Sequence, residues 1–208
     1  MSNELILYTH PMSRGRTVRW VLEEIGQPYR TELLEYGTTM KSAEYLAINP
    51  MGKVPALKHG DMVITESAAI CAYLPDAFPQ AGLAPALNDP KRGLYYKWLF
   101  FMAGPLEAGM INKAIGVSVT QEQKKMVGYV GVDEMLSMLE VTLSENTYLL
   151  GETFSVADIY IGAFLAWMMH AKMIKPQAVF ERYVERLYAR PAAIRASQID
   201  DALLAEQK

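Results

Sequence analysis

The order of local patterns in the first 80 residues constrains the fold of this 208-residue chain more than any other feature. The patterns run as strand, helix and strand, and then, after a connecting segment, as two strands and a helix. They are a strand at Leu5–Thr9, a helix from Ser13 closed by Gly26, strands at Tyr29–Leu34, Val54–Lys58 and Met62–Ile64, and a helix from Glu66 to Leu74. A strand–helix–strand unit brings its strands together in parallel, whereas strands joined by the tight turn His59-Gly60-Asp61 must be antiparallel. The sequence therefore predicts a mixed four-stranded sheet.

Strand patterns disappear in the second half of the chain. A polar segment rich in small residues, 81–88, separates a predicted α/β domain at 1–80 from a predicted all-helical domain at 89–208. Thr120 and Gln123 have the spacing of a capping box, which predicts a long helix from there to about Ser144. The expected architecture is a small α/β domain followed by a helical bundle.

Composition argues against several classes of function. The net charge is −3 and no basic stripe is present, so nucleic acid is not an expected partner. The most apolar segment, Val156–Met169, is too short to span a bilayer, and no signal-peptide pattern opens the chain. The single cysteine, Cys71, allows neither a disulfide framework nor a redox pair, and its helical position predicts a packing thiol. We expect a soluble cytoplasmic protein with no membrane partner.

Three short motifs have clear physical readings. Asn49-Pro-Met-Gly-Lys-Val-Pro-Ala-Leu57 places a proline after a loop, where the missing backbone donor leaves the preceding residue free to pair outward. Glu66-Ser-Ala-Ala-Ile70 opens a helix whose free N–H groups suit an anion. In Leu150-Gly-Glu-Thr-Phe-Ser-Val-Ala-Asp158, Ser155 and Asp158 form a capping box that we assign to folding. In this order and spacing, the three motifs resemble the cytosolic glutathione transferases, of bacterial and serine type.

The resemblance implies a fold and a site. It implies a thioredoxin-like N-terminal domain that binds glutathione as co-substrate, a helical C-terminal domain, and no metal. Pro55 is expected to be cis, with the Val54 backbone pairing with the cysteinyl unit of glutathione as an added strand. Glu66 would receive the γ-glutamyl amine, Ser67 the adjacent carboxylate, and Lys53 the glycine carboxylate. Family members conjugate the glutathione thiolate to apolar electrophiles and are usually homodimers, for which Met51 is the candidate plug into the partner.

The residue that stabilises the thiolate is less clearly marked. A hydroxyl near the start of the first helix is needed, and the candidates are Tyr8, Thr9 and Ser13. Ser13 is favoured because it begins the helix; Tyr8 ends the first strand, where tyrosine-type enzymes carry their donor. Counting the family's spacing from a different reference segment places His10 at the donor position instead. A backbone amide or Arg14 is also a candidate for holding the sulfur.

The electrophile side has no motif. Apolar residues that could line a pocket, or equally belong to the core, are Met12, Phe101, Met102, Met110 and Trp167. His10, His59 and His170 show neither metal-ligand spacing nor an acidic partner in sequence, and are interpreted as non-catalytic. Two alternatives to conjugation follow: a non-catalytic ligand-binding or interaction protein, and a glutathione-dependent isomerase or peroxidase.

Overall fold

The computed structural model describes residues 4–206 and contains the predicted mixed sheet. Its strands are β1 Leu5–Thr9, β2 Tyr29–Leu33, β3 Ala56–His59 and β4 Met62–Thr65. They lie in the order β2-β1-β3-β4, with β1 parallel to β2 and antiparallel to β3, and with β3 antiparallel to β4. The thioredoxin-like α/β arrangement expected from the sequence is confirmed.

Helices connect the strands and, with the loops between them, make up the rest of the described chain. They are α1 Gly15–Ile25, α2 Ala43–Ile48, α3 Ser67–Ala77, α4 Lys91–Phe101, α5 Glu107–Ala114, α6 Val132–Glu145, α7 Val156–His170, α8 Ala178–Tyr188 and α9 Pro191–Glu206. A π-helical segment at Met102–Leu106, which contains Pro105, joins α4 to α5. Within residues 4–206, we find no helix with both the length and the apolarity needed to cross a membrane.

Two helices differ from their predicted bounds. α3 continues through Pro75 to Ala77, so the proline removes one backbone donor without ending the helix at its own position, and the helix ends two residues later. Thr120 and Gln123 do exchange the two hydrogen bonds of a capping box, but only a single turn at Gln123–Lys125 follows them. The long helix, α6, begins instead at Val132, beyond two glycines that disfavour helix.

The chain forms two compact units that differ from the predicted domains at both boundaries. One unit contains residues 4–81 together with 188–206, and the other contains residues 82–187. Helix α9, predicted to belong to the helical domain, packs against α1. The predicted linker residue Leu83 is buried, and its carbonyl accepts a hydrogen bond from the Val156 amide at 2.9 Å. Both differences depend on contacts between residues distant in sequence.

The unit of residues 82–187 is built around α7, which is buried along most of its length. The predicted capping box at its start is present: the Asp158 carboxylate accepts from the Ser155 amide at 2.9 Å and the Ser155 hydroxyl at 3.1 Å. Asp158 also accepts from the Leu149 amide and from the Tyr183 hydroxyl, both at 2.8 Å. The carboxylate therefore joins a loop and two helices in the core of this unit.

Candidate functional site

The predicted site residues of the first unit meet at one edge of the sheet. The strand register pairs Tyr8 with Ala56, and Ala56 with Thr65. Directly paired residues on antiparallel strands lie about 4.5–5.5 Å apart. The end of β1, the loop before β3 and the start of α3 after β4 are therefore neighbours, and each carries one of the predicted segments.

The Val54–Pro55 peptide is cis, as the resemblance implied. Pro55 is buried and Val54 half-buried. Across residues 4–206, the Val54 amide and carbonyl form no hydrogen bond with another residue. The amide is a donor and the carbonyl an acceptor, and an extended peptide needs both in order to pair with this segment as an added strand.

The loop that presents Val54 is fixed by contacts that the sequence reading missed. The Lys53 carbonyl accepts from the Tyr45 hydroxyl at 2.6 Å and from the Asn49 side-chain amide at 2.7 Å. Lys41 Nζ donates to the carbonyls of Met51 and Gly52, at 3.1 Å each. Only Asn49 lies in the quoted motif, so sequence could have suggested that residue but not the other two. The Lys53 side chain is exposed, and its predicted contact with glutathione stays a prediction.

The second segment is the start of α3. Glu66 has φ 68° and ψ 118°, a backbone conformation that non-glycine residues rarely adopt and that concentrates at functional sites. Its side chain is exposed, whereas Ser67, the first residue of the helix, is 9% exposed. The first N–H groups of a helix have no partner within the helix and favour negative charge. This end of α3 can therefore bind a carboxylate next to the Val54 loop.

Ser13, the favoured sulfur donor, has its hydroxyl engaged. Its Oγ donates to the His10 carbonyl at 2.7 Å and accepts from the amide of Gly15, the first residue of α1, at 3.0 Å. To donate to a thiolate, the hydroxyl would have to rotate away from that carbonyl.

The other two hydroxyl candidates differ in their access. Thr9 is fully buried beneath α1, and a Cβ on Gly15 would overlap its hydroxyl. Tyr8 is half-buried, with its ring 5.8 Å from the ring of Tyr45. Thr9 is therefore the least available of the three.

His10 has an acidic neighbour that the sequence reading did not find. Its ring is buried, and Nε2 lies 3.5 Å from the Glu35 carboxylate while Nδ1 accepts from the Met12 amide at 3.0 Å. The other two histidines differ: His59 Nδ1 lies 2.7 Å from the Tyr73 hydroxyl, and His170 is exposed. No group of three acidic, histidine or cysteine side chains that could hold a metal occurs in the described chain.

The predicted electrophile-pocket residues have different degrees of burial. Met12 is 64% exposed in the first unit. In the second unit Trp167 is 52% exposed and Phe101 is half-buried, while Met102 and Met110 are each 1% exposed. Burial this complete is typical of core packing, which was the alternative reading for both methionines.

Cys71 is buried in α3, and burial raises the pKa of its thiol to about 12. A thiol held so far from ionisation is inert as a nucleophile. The predicted packing role fits this environment.

Fold and site together define a thioredoxin-like domain in which the cis Val54–Pro55 loop lies beside the start of α3, followed by a helical unit. The family described as glutathione S-transferase, N-terminal domain matches residues 3–76, and its C-terminal domain counterpart matches residues 93–191. The chain belongs to the glutathione S-transferase family.

Individual relatives agree with this assignment. Glutathione S-transferase GstA of Escherichia coli O157:H7 is 28% identical over 165 residues, covering 78% of each chain. The structure of a glutathione transferase from Methylococcus capsulatus strain Bath superposes with a TM-score of 0.77 at 29% identity, covering 95% of this chain and 99% of that one. A sphingomonad glutathione S-transferase complexed with glutathione gives 0.78 at 25% identity, covering 94% and 98%.

Proposed function

We propose that this protein is a glutathione transferase that joins the glutathione thiolate to an apolar electrophile. The observation that carries the proposal is the free Val54 backbone beside the start of α3, at one edge of the sheet. A γ-linked tripeptide has an extended centre and a charged carboxylate at each end, which these two features complement. The sphingomonad relative, whose structure contains glutathione, supports the same ligand. Turnover of glutathione with several electrophile classes tests the activity.

The energetic requirement for thiol activation is modest. A free cysteine-type thiol has a pKa near ~8.5, so mostly ionised thiol at neutral pH requires about 3 kcal/mol of preferential stabilisation. A hydrogen bond to the charged sulfur supplies ~1.5–3 kcal/mol, and a helix N-terminus about 0.3–1 more. One rotated hydroxyl together with the start of α1 therefore suffices. Burial of the electrophile and its proximity to the thiolate would supply the remaining rate.

Ser13 would be the donor in this scheme, and Tyr8 the alternative. Ser13→Ala is expected to raise the pKa of bound glutathione by about one to two units, because a hydrogen bond to a charge is lost. Tyr8→Phe should shift it less. The measurement is a titration of thiolate absorbance in saturated complexes, with Ser13→Thr as the matched control that keeps a hydroxyl. A shift in Tyr8→Phe alone would transfer the role to Tyr8.

A second function, glutathione binding without conjugation, is favoured by one specific observation. The Ser13 proton already points to the His10 carbonyl at 2.7 Å. If neither Ser13→Ala nor Tyr8→Phe shifts the thiol titration and no electrophile is turned over, this second function replaces the first.

Ser67 is assigned to the carboxylate of the γ-glutamyl unit. Ser67→Ala is expected to weaken glutathione binding by ~1–3 kcal/mol through loss of a charge-assisted hydrogen bond. Isothermal calorimetry measures this, with Ser137→Ala on the exposed face of α6 as the control. Equal affinity in Ser67→Ala and wild type would remove Ser67 from the site.

The proposal includes a homodimer in the cytoplasm. Met51 is 63% exposed at the apex of the loop fixed by Asn49 and Lys41, as a plug into a partner subunit would be. The cytoplasm supplies reduced glutathione and suits a chain with a single, buried thiol. Sedimentation velocity reads the oligomeric state, and a monomer at micromolar concentration would contradict the dimer.

A further inference from the structure

We propose that His10 is a positioning residue for the thiol-side loop, defined here as residues 10–15. The inference rests on the proposed function, because it concerns how that loop holds a sulfur donor. It starts from the buried imidazole, whose two nitrogens face different groups: Nδ1 the Met12 amide at 3.0 Å, and Nε2 the Glu35 carboxylate at 3.5 Å.

These contacts define the tautomer of His10. A nitrogen that accepts from a backbone N–H cannot itself carry a proton, so Nδ1 is unprotonated and the ring proton of the neutral imidazole lies on Nε2. Nε2–H then faces Glu35, whose side chain is half-exposed. The carboxylate thus favours the tautomer that leaves Nδ1 free to hold Met12.

Met12 is held from both sides of its backbone. His10 accepts from its amide, and the Tyr36 hydroxyl donates to its carbonyl at 3.2 Å. The Tyr36 ring packs 4.6 Å from the His10 ring. The segment that follows β2 therefore supplies Glu35, which orients the histidine, and Tyr36, which holds the Met12 carbonyl. The clamp is defined here as the pair of contacts that His10 and Tyr36 make with the Met12 backbone.

The clamp extends to the proposed sulfur donor. Ser13 follows Met12 directly, and its hydroxyl donates to the His10 carbonyl. His10 therefore fixes the backbone next to Ser13 through its ring. It also fixes the resting direction of the Ser13 hydroxyl through its carbonyl. A displacement of about 1 Å in a group that acts on the reacting atom can cost a factor of about one hundred in rate, so rigidity here affects turnover more than binding.

The kinetic test compares two substitutions of His10. His10→Asn keeps an acceptor that can reach the amide two residues on, as asparagine does in turns, whereas His10→Leu removes it. We expect His10→Leu to lower kcat about three- to tenfold, the usual effect of one lost hydrogen bond, with a smaller change in KM for glutathione. His10→Asn should recover most of that loss. His170→Leu, an exposed histidine of α7, is the control and should behave as wild type.

Equal losses in His10→Asn and His10→Leu, or no loss in His10→Leu, would overturn the proposal. If His10→Leu does not fold, Tyr36→Phe tests the other half of the clamp, since it removes only the hydroxyl that holds the Met12 carbonyl. It should lower kcat by a smaller factor, and unchanged kcat would count against the clamp.

A measurement on the ligand-free protein separates this inference from the proposed function. Nitrogen-15 NMR of the imidazoles, assigned with His10→Asn, should show His10 with unprotonated Nδ1 and protonated Nε2 at neutral pH. The opposite tautomer would overturn the positioning role even if the enzyme conjugates glutathione. If wild type neither binds nor turns over glutathione, the proposed function fails, and the NMR result alone decides whether the clamp exists.

Discussion

Replacing Asp158 with alanine is expected to lower the free energy of unfolding by about 2–6 kcal/mol, because at least two buried backbone donors lose their acceptor. The amides of Leu149 and Ser155 each donate to one oxygen of this fully buried carboxylate. An ordinary helix cap contributes only ~0.5–2 kcal/mol. Urea unfolding measures the loss, and Asp133→Ala, an exposed acid in the first turn of α6, is the matched control.

Asp158→Asn sharpens the test. Each carboxylate oxygen accepts from a backbone N–H, so an amide NH2 in either orientation would face a donor that cannot reverse its role. We therefore expect Asp158→Asn to be destabilised about as strongly as Asp158→Ala. Near-wild-type stability of Asp158→Asn would contradict the contacts assigned to Asp158, and lost glutathione binding with unchanged stability would contradict its structural role.

The second large effect concerns the buried ion pair between α1 and α9. Arg19 Nε donates to Asp200 Oδ1 at 2.9 Å, and both side chains are 1% exposed. Removing one member of a buried pair costs about 3–5 kcal/mol, because the remaining charge is uncompensated. Arg19→Met is therefore expected to lose about that much stability at neutral pH.

The loss should depend on pH. Burial raises the pKa of Asp200, and the Arg19 guanidinium opposes that rise, so Arg19→Met raises the pKa further. A carboxyl whose folded pKa lies above its unfolded value binds its proton more tightly in the folded state, so stability falls as pH rises between the two values. The deficit relative to wild type should be smallest below pH ~3, where Asp200 is protonated in both the folded and the unfolded state, and it should be full at neutral pH. Contacts of Arg19 with Tyr29 and Thr31 leave a residual loss at low pH.

Unfolding in urea at several pH values measures this dependence. Arg19→Met combined with Asp200→Leu should recover much of the neutral-pH loss, since well-packed apolar residues often replace a buried ion pair without cost. In the described chain, Arg19 Nη2 and Asp200 Oδ2 have no hydrogen-bond partner, which makes such recovery more favourable. Arg30→Met, which removes only exposed ion pairs, is the control. A deficit that is the same at every pH would contradict an uncompensated Asp200 charge as its cause.

Much of the fold could be predicted because its signals are local. The turn at residues 59–61, the alternation of β2 and the capping box of Ser155 and Asp158 depend on geometry between residues at most a few positions apart. The Val54–Pro55 and Glu66-Ser67 motifs also carry local backbone requirements, and the structure has a cis peptide at one and an unusual φ at the other.

Local signals failed where a tertiary contact or its absence decided the outcome. Thr120 and Gln123 form their capping bonds, yet no long helix follows, because a cap does not supply an apolar face to pack. The predicted helix therefore shortened to one turn, while α6, whose buried residues include Leu139, formed further on.

The sequence by itself determined the order of strands and helices and the mixed sheet, because each follows from residues close together along the chain. Only the tertiary structure placed Glu35 beside His10, Tyr183 on Asp158 and Asp200 against Arg19. Those pairs are separated by 25 to 181 residues. Their formation depends on which helix faces pack and which polar groups become buried, and a buried polar group needs a partner that no local pattern specifies.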